Sequence, residues 1–501
     1  MFKAVLLATT VAATPWVLAQ AQAADHDIRI AMPIKFDNID ACNTSAETGF
    51  VVQENVTETL VQLSPKDGTP MPRLATKWEQ TAPTTWRITL REGVEFHDGS
   101  AFDAKAVERA INRMFNPELD CLNRMKLFTN IKITPTVVDT HVVDFTTEKP
   151  QVLMPTLLSF LAIDAPSTKF DELSSAPVGT GPYTVPPRQA GDEIVLRRFD
   201  GYWGEKPEVE QATYVQRDES ALRAAMVEVG EADIGLYVAS QDATNPETDF
   251  GYPNGETTRL RFVFEPPLDD IRVRKAFNLA IDREALRDGL FTEDFQLATQ
   301  MFLPRINGYN PDLKPWTYDP AEAKRLLAAA KADGVPVEQE IPLIGRIGFY
   351  QNGQEAMEAM IGMWSEVGLN VKLQMIERAQ WLKLVNKPFG QDRKAMLIQE
   401  QHDNNSGDAT FTMHFRYHTN GQQSEISFPE LDKLLDAADA AQGEERRRLF
   451  QEANRMAAED IVPDVMMFHM INIMRVSPKL DFRPTEVTNA LFEISKIGFK
   501  D

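Results

Sequence analysis

Residues 72–114 read PRLATKWEQTAPTTWRITLREGVEFHDGSAFDAKAVERAINRM, and this stretch decides the fold. Trp86-Arg87-Ile88-Thr89-Leu90 alternates apolar and polar side chains, the period-two pattern of a half-buried strand. Gly93 and then Asp98-Gly99-Ser100 supply turn chemistry. Asp103 stands where a helix needs an N-cap, and Val107, Ala110, Ile111 and Met114 recur at spacings of three and four, the stripe of an amphipathic helix. The stretch predicts strand, turn, helix, with no chemistry of its own. His97, alone beside Asp98, reads as scaffold rather than as a base or metal ligand.

Working outward to the N-terminus, Lys3, the mostly apolar run Ala4 to Leu18 and Ala21-Gln22-Ala23 have the pattern of an export signal with an A-x-A cleavage site. Cleavage is expected after Ala23. With no Cys at that site a lipid anchor is not expected, and the periplasm of a Gram-negative bacterium is the expected compartment. The formal net charge of the 501-residue chain is -22. Such a surface repels phosphate backbones, so nucleic-acid binding is not expected. Two cysteines are present, Cys42 and Cys121. An oxidising compartment favours one disulfide over two buried thiols, and closing a loop of about 80 residues stabilises by on the order of 4 kcal/mol in the chain-entropy account.

Four further blocks matter. Gly179-Thr180-Gly181-Pro182-Tyr183 leads to Ile194-Val195-Leu196 and Tyr202-Trp203-Gly204, the aromatics reading as a lid on the core or as a sugar platform. Asp269-Asp270 precedes Ile271-Arg272-Val273-Arg274-Lys275-Ala276-Phe277 and Asp282-Arg283, with the charges read as a surface ion-pair network. Asp319-Pro320 opens a helix that runs through Leu326-Leu327, and a helix over Gln354–Val367 stops at Gly368 before the strand Leu369–Leu373. Phe428–Ala438 is a further helix. Asp27–Ala31 reads as the first strand, and Glu54 to Leu60 as a helix leading into a strand at Val61.

Taken in order, these blocks resemble the family 5 extracellular solute-binding proteins, the dipeptide, oligopeptide and nickel binders of ABC importers. The resemblance covers essentially the whole exported chain. It implies an α/β, two-lobed periplasmic-binding-protein fold, type II, of the large cluster with an extra subdomain and a ligand cleft between the lobes. The implied layout is a signal at 1–23, lobe I at 24–270 with the extra subdomain at roughly 60–180, lobe II at 271–480, and a return to lobe I at 481–501. Crossovers are expected near 265–275 and 475–485.

Candidate ligand residues come from loops at strand ends, where packing dictates composition least. They are Phe36, Asp37 and Asn38 in the first loop; Arg346, Tyr350 and Gln351 after an apolar strand; Trp381; and His402, Asp403 and Asp408 in a polar loop after the strand Ala395–Ile398. The peptide binders' Gly-Trp pair and acidic turn are replaced here by Gly407-Asp408-Ala409-Thr410. Asp408 is either an amine-binding carboxylate or an Asx-turn residue. Arg346 is either a partner for a ligand carboxylate or phosphate, or a lobe-lobe ion pair. His402, His414 and His418 lie close in sequence, but with Arg416 among them no metal site is expected.

The expected function is a monomeric solute-binding protein that delivers a small ligand to the permease of an ABC importer, with no cofactor. A peptide is the default ligand; an opine, sugar or sugar phosphate is the alternative, and a nickel chelate stands behind both. A hydrolase is the reading from another class; GxSxG, HExxH and P-loop motifs are absent from the sequence, and an enzyme is not expected.

Overall fold

Two long strands, Asp249–Phe262 and Asp464–Val476, pair antiparallel and carry the rest of the chain. The computed structural model describes residues 26–34, 39–44, 49–128, 131–187, 193–390, 393–404, 406–485 and 491–500; the expected signal and its cleavage site lie outside them. Asp464–Val476 reads DVMMFHMINIMRV, a nearly continuous apolar run, and nearly all of it is buried, as a strand covered on both faces requires.

Among the described residues one sheet of eleven strands spans both lobes. On the lobe I side, Ile234–Gly235 joins Asp464–Val476, followed by Asp27–Met32, Gln211–Gln216, Glu193–Arg198 and Tyr183–Thr184. On the lobe II side, Leu397–Asp403 joins Asp249–Phe262, followed by Glu340–Arg346 and Asn370–Ile376. Pairing is parallel between Asp27–Met32 and its two neighbours, and likewise between Glu340–Arg346 and its two neighbours. Parallel neighbours need crossovers, and helices supply them. Ser220–Glu228 is one in lobe I; Gly353–Val367 and Arg378–Val385 serve lobe II. Gly368 ends Gly353–Val367 in the left-handed conformation, φ 97°, as its sequence position predicts.

The opening stretch builds a separate four-stranded antiparallel sheet, Ala75–Ala82, Thr85–Leu90, Val142–Thr146 and Thr134–Asp139, backed by the helix Ala104–Met114. Trp86, Ile88 and Leu90 face inward, and the Asp103 carboxylate accepts from Ala106 N at 2.8 Å. His97 is the scaffold residue its context suggested. Its Nε2 lies 2.8 Å from Gly181 O, and its Nδ1 accepts from Gly179 N at 3.3 Å. Those glycines press on Asn55 and Val56 so closely that a Cβ would stand 2.6 Å and 2.0 Å from backbone oxygens. Cys42 and Cys121 form a disulfide across a sequence separation of 79.

Two local readings are corrected. Glu54 to Leu60 is not helical; the helix is only Gly49–Val52, and Glu54 sits at φ 61°. The segment is held by buried polar side chains whose partners are remote in sequence. Arg73 reaches Glu54 at 3.0 Å and Glu58 at 2.8 Å, while the Tyr202 hydroxyl and Trp203 Nε1 donate to Glu58 at 3.0 and 2.7 Å. Tyr202-Trp203 is therefore a lid that closes over a buried carboxylate. Second, only Arg272 belongs to a surface ion pair, with Asp270 and Asp333. Arg274 and Arg283 are buried; Arg274 donates to the carbonyls of Ile461 and Val462, which precede the strand Asp464–Val476, and Arg283 donates to the Met466 carbonyl within it.

Two stability predictions follow from these joints. Replacing Cys42 and Cys121 together by Ala should lower the unfolding free energy by about 4 kcal/mol, read from the midpoint of a denaturant titration. Burial and the neighbouring Glu54 push the Glu58 carboxyl from its ordinary 4.5 up to about 7, against the pull of Arg73. A raised carboxyl pKa adds stability below pH 4.5 that is lost as pH rises through 7. Buried Asp164, also raised to about 7, acts in the same direction. Melting temperatures of Glu58→Gln and of the unaltered protein should converge differently across pH 4.5 to 7, with the variant's profile flatter; parallel profiles would contradict this.

Candidate functional site

In each lobe the parallel strands aim their carboxyl ends at the middle of the two long strands. Just past Ile234–Gly235, Val238 N donates to Ile473 O at 2.9 Å. In lobe II, Asp403 ends its strand opposite Glu256. Between these points the long strands shift register, from Pro253 opposite Ile471 to Thr257 opposite His469. Asn254 donates to Asn472 across the gap at 3.4 Å, and Tyr237 sits nearby at φ 53°. Open α/β sheets bind ligands beyond the carboxyl ends of their strands. The candidate cleft therefore lies where Tyr237, Asn254, Glu256, Arg346 and Asp403 come together.

Three of the residues singled out from sequence gather around Gln399, which opens the polar stretch after Ile398 expected to line the pocket. Its side-chain oxygen accepts from Arg346 N at 2.9 Å, and its carbonyl accepts from Trp381 Nε1 at 2.8 Å. The Tyr350 hydroxyl bonds the Gln399 and Thr258 side chains, and burial pushes its pKa up. The Arg346 guanidinium lies over the Phe349 ring at 3.6 Å and 5.3 Å from the Trp381 ring. Burial lowers its pKa, as does like-charged Arg378; Glu256 opposes them. Arg346 makes no side-chain ion pair among the described residues. Glu256 accepts from Gln401 Nε2, and burial followed by the Asp403 charge pushes its carboxyl up. The edge thus presents two guanidiniums and two carboxylates beside aromatic faces. Gln399 is the first polar residue after Leu397-Ile398 in a strand that continues polar to Asp403.

Other candidates go elsewhere. Phe36, Asp37 and Asn38 lie outside the described residues, and Gln351 is exposed at the helix start. The strand expected over Ala395–Ile398 runs Leu397–Asp403, so His402 is a strand residue rather than a loop residue. It is buried, with Nε2 2.8 Å from the Thr412 hydroxyl and Nδ1 accepting from Arg416. Burial, then Arg416 and Arg259, hold its pKa well below the ordinary value, so it is neutral. The Asp408 carboxylate is 3% exposed and accepts two bonds from Arg446, at 2.9 and 2.7 Å, as well as Asn307 Nδ2 and Thr410 N. That is the geometry of a loop brace. His414 and His418 stack with ring centroids 4.8 Å apart, but each is held by a carboxylate, His414 by Asp439 at 2.7 Å and His418 by Asp436 at 3.5 Å, and His402 bonds Thr412 and Arg416 instead. Among the described residues no group of three or more His, Cys, Asp or Glu is arranged to hold a metal.

Beside the cleft, on the strand face carrying His402, is a buried ion network invisible in the sequence. Glu400 Oε2 accepts from Arg259 Nε at 3.0 Å and Arg416 Nη1 at 2.7 Å, and its other oxygen is 3.1 Å from Arg261. Arg259 also donates to Asp464 at 2.7 Å. Burial alone would raise the Glu400 carboxyl; Arg261, Arg259 and Arg416 outweigh it and pull it down to about 2.

A sheet shared by two lobes, joined by two strands and with a cleft at the convergence of strand ends, defines a ligand-clamping binding protein. The sequence model described as Bacterial extracellular solute-binding proteins, family 5 Middle, matches residues 69–424, and the chain belongs to that family. It is 32% identical over 258 residues to the glutathione-binding protein GsiB of Salmonella paratyphi A, a match over 49% of this chain and 50% of the relative, so about half that protein's length. It is 24% identical over 442 residues to the dipeptide-binding protein of Escherichia coli K12, covering 80% of this chain and 81% of that one. A crystal structure titled as a nickel ABC transporter from Bacillus halodurans superposes with a TM-score of 0.83 at 20% identity, over 94% of this chain and all of that one; the likeness shows the fold. Among the described residues no helix is long and apolar enough to cross a membrane.

Glu400→Ala leaves three buried guanidiniums without their common partner. It should cost on the order of 3–5 kcal/mol of unfolding free energy in a denaturant titration, whereas a surface pair such as Arg325–Glu322 should cost about 0–1 kcal/mol.

Proposed function

We propose that this chain captures a small zwitterionic solute, a peptide in the first place, between its lobes and passes it to the permease of an ABC importer. The carrying observation is the mixed set of charges at the strand ends: Arg346 beside Arg378, Glu256 beside Asp403. A free guanidinium on an aromatic face suits a ligand carboxylate, and the paired carboxylates suit an ammonium group. The names of the dipeptide-binding and glutathione-binding relatives support a peptide-like solute. The aromatic pair Phe349 and Trp381, edge-to-face with centroids 5.4 Å apart, supports the second reading, an opine or sugar-type ligand.

In this reading the lobes exchange chain within the long strands rather than after them. Lobe I ends within Asp249–Phe262, lobe II ends within Asp464–Val476, and the remaining C-terminal residues return to lobe I. The protein works as a periplasmic monomer, exported with cleavage after Ala23, and has no catalytic role. Asp408 supports the cleft loop instead of anchoring an amine.

Isothermal titration with alanyl-phenylalanine, glutathione and glucose tests the proposal. The dipeptide or glutathione should bind. Arg346→Ala should weaken binding about tenfold or more, equal to roughly 1.4 kcal/mol, and amidating the dipeptide's carboxylate should weaken binding to the unaltered protein but not further to the variant. Binding of glucose alone would favour the second reading.

A further inference from the structure

Outside the long strands the lobes meet at a second place. The turn Ser64–Thr69 joins the lobe I strands Val61–Leu63 and Pro70–Pro72. It is braced internally: Ser64 N donates to Thr69 O at 2.8 Å, Gly68 N donates to Ser64 O at 2.9 Å, and the Asp67 carboxylate accepts from the Thr69 hydroxyl at 2.7 Å. Gly68, at φ +69°, packs on lobe II so closely that a Cβ there would stand 2.2 Å from Arg305 O and 2.9 Å from Gly407 O. The fit is reciprocal, because a Cβ on Gly407, at φ +76°, would stand 2.3 Å from Leu63 Cδ1. Polar pairs flank the contact. Arg447 Nη1 is 3.6 Å from Asp67 Oδ2, and Gln442 Nε2 donates to Gln80 Oε1 at 2.9 Å.

The lobe II side is also rigid. Asn307 N donates to Gly407 O at 3.0 Å, Ala409 N donates to Asn307 O at 2.9 Å, and Asp408 ties Asn307 to Arg446. Two preformed backbone surfaces thus meet through two glycines, with the Leu63 side chain lying against Gly407. Such a contact can separate and re-form without unfolding either side.

We infer that the Gly68 turn and the Gly407-Asp408 loop form a latch, in which the glycine tip seats in a backbone notch of lobe II and holds the lobes closed. Asp408 and Arg446 shape the notch. Any side chain at position 68 props the seam open, and affinity for a trapped ligand falls with the population of closed molecules.

Small-angle scattering of the exported chain, with no added solute, compares the unaltered protein with Gly68→Val and Arg447→Glu. Val also strains a left-handed turn, whereas Arg447→Glu faces Asp67 with a like charge and leaves the turn backbone untouched. Both variants should keep the far-ultraviolet circular dichroism of the unaltered protein and show a larger radius of gyration. A short bismaleimide joining Asp67→Cys to Arg447→Cys should close within one chain, and about fivefold more slowly once Gly68→Val is added, since the latched population is smaller. Equal radii in all three proteins, with equal crosslinking rates, would overturn the latch. Neither measurement involves a solute, so the outcome is independent of which ligand the cleft takes.

Discussion

Arg259 and Asp464 pair diagonally across the two long strands, and Glu400 adds a third strand to the same cluster. Everything else in the lobe II half of the sheet is registered against that contact. All three side chains are almost fully buried, so each charge carries a desolvation cost that only its partners offset. A slip by one residue in any of the three strands would turn one of these side chains to the opposite face. The penalty for that is an unpaired buried charge, which is far larger than the loss of a few van der Waals contacts. At the lobe I end of the same two strands, Arg475 and Asp249 pair at 2.5 Å and repeat the device. Both ends of the bridge are locked by charge, and the irregular middle, with Asn254 and Asn472, lies between them.

The extra subdomain is fastened by the same physics. Arg73 serves Glu54 and Glu58, and Arg113 serves Asp40 and Asp164. In both clusters one guanidinium meets two carboxylates. Burial pushes the Glu58 and Asp164 carboxyls up to about 7, and the stability they contribute depends on pH in the opposite sense to an ordinary surface ion pair. The Glu400 cluster is the reverse case, with three guanidiniums on one carboxylate, and it keeps its charge far into acid.

The polar stretch after Ile398 shows how one run of residues is divided between tasks by strand alternation. Gln399, Gln401 and Asp403 turn to the face carrying Glu256 and Thr258. Glu400 and His402 turn to the opposite face, into the ion network and toward Arg416. The following Asp408 is consumed in bracing its own loop, which shapes the seam against the Gly68 turn.

The sequence by itself determined the elements whose signals are local. The alternation of Thr85–Leu90, the Asp103 and Asp319 caps and the Gly368 stop are each set by interactions spanning a few residues. It also carried the order of the blocks, and with it the family and the two-lobed fold. The tertiary structure alone decided the rest. Arg259 meets Glu400 across 141 positions and Asp464 across 205. Glu54 to Leu60 was read as a helix because its buried partners Arg73 and Trp203 lie elsewhere in the chain. Arg346, Tyr350 and Trp381 were legible as candidates, but their meeting at Gln399 was not, nor was the burial of His402 against Thr412 and Arg416 and of Asp408 against Arg446. Local propensity acts through neighbouring backbone. The charge pairs and the cleft are made by residues that only folding brings within hydrogen-bonding distance.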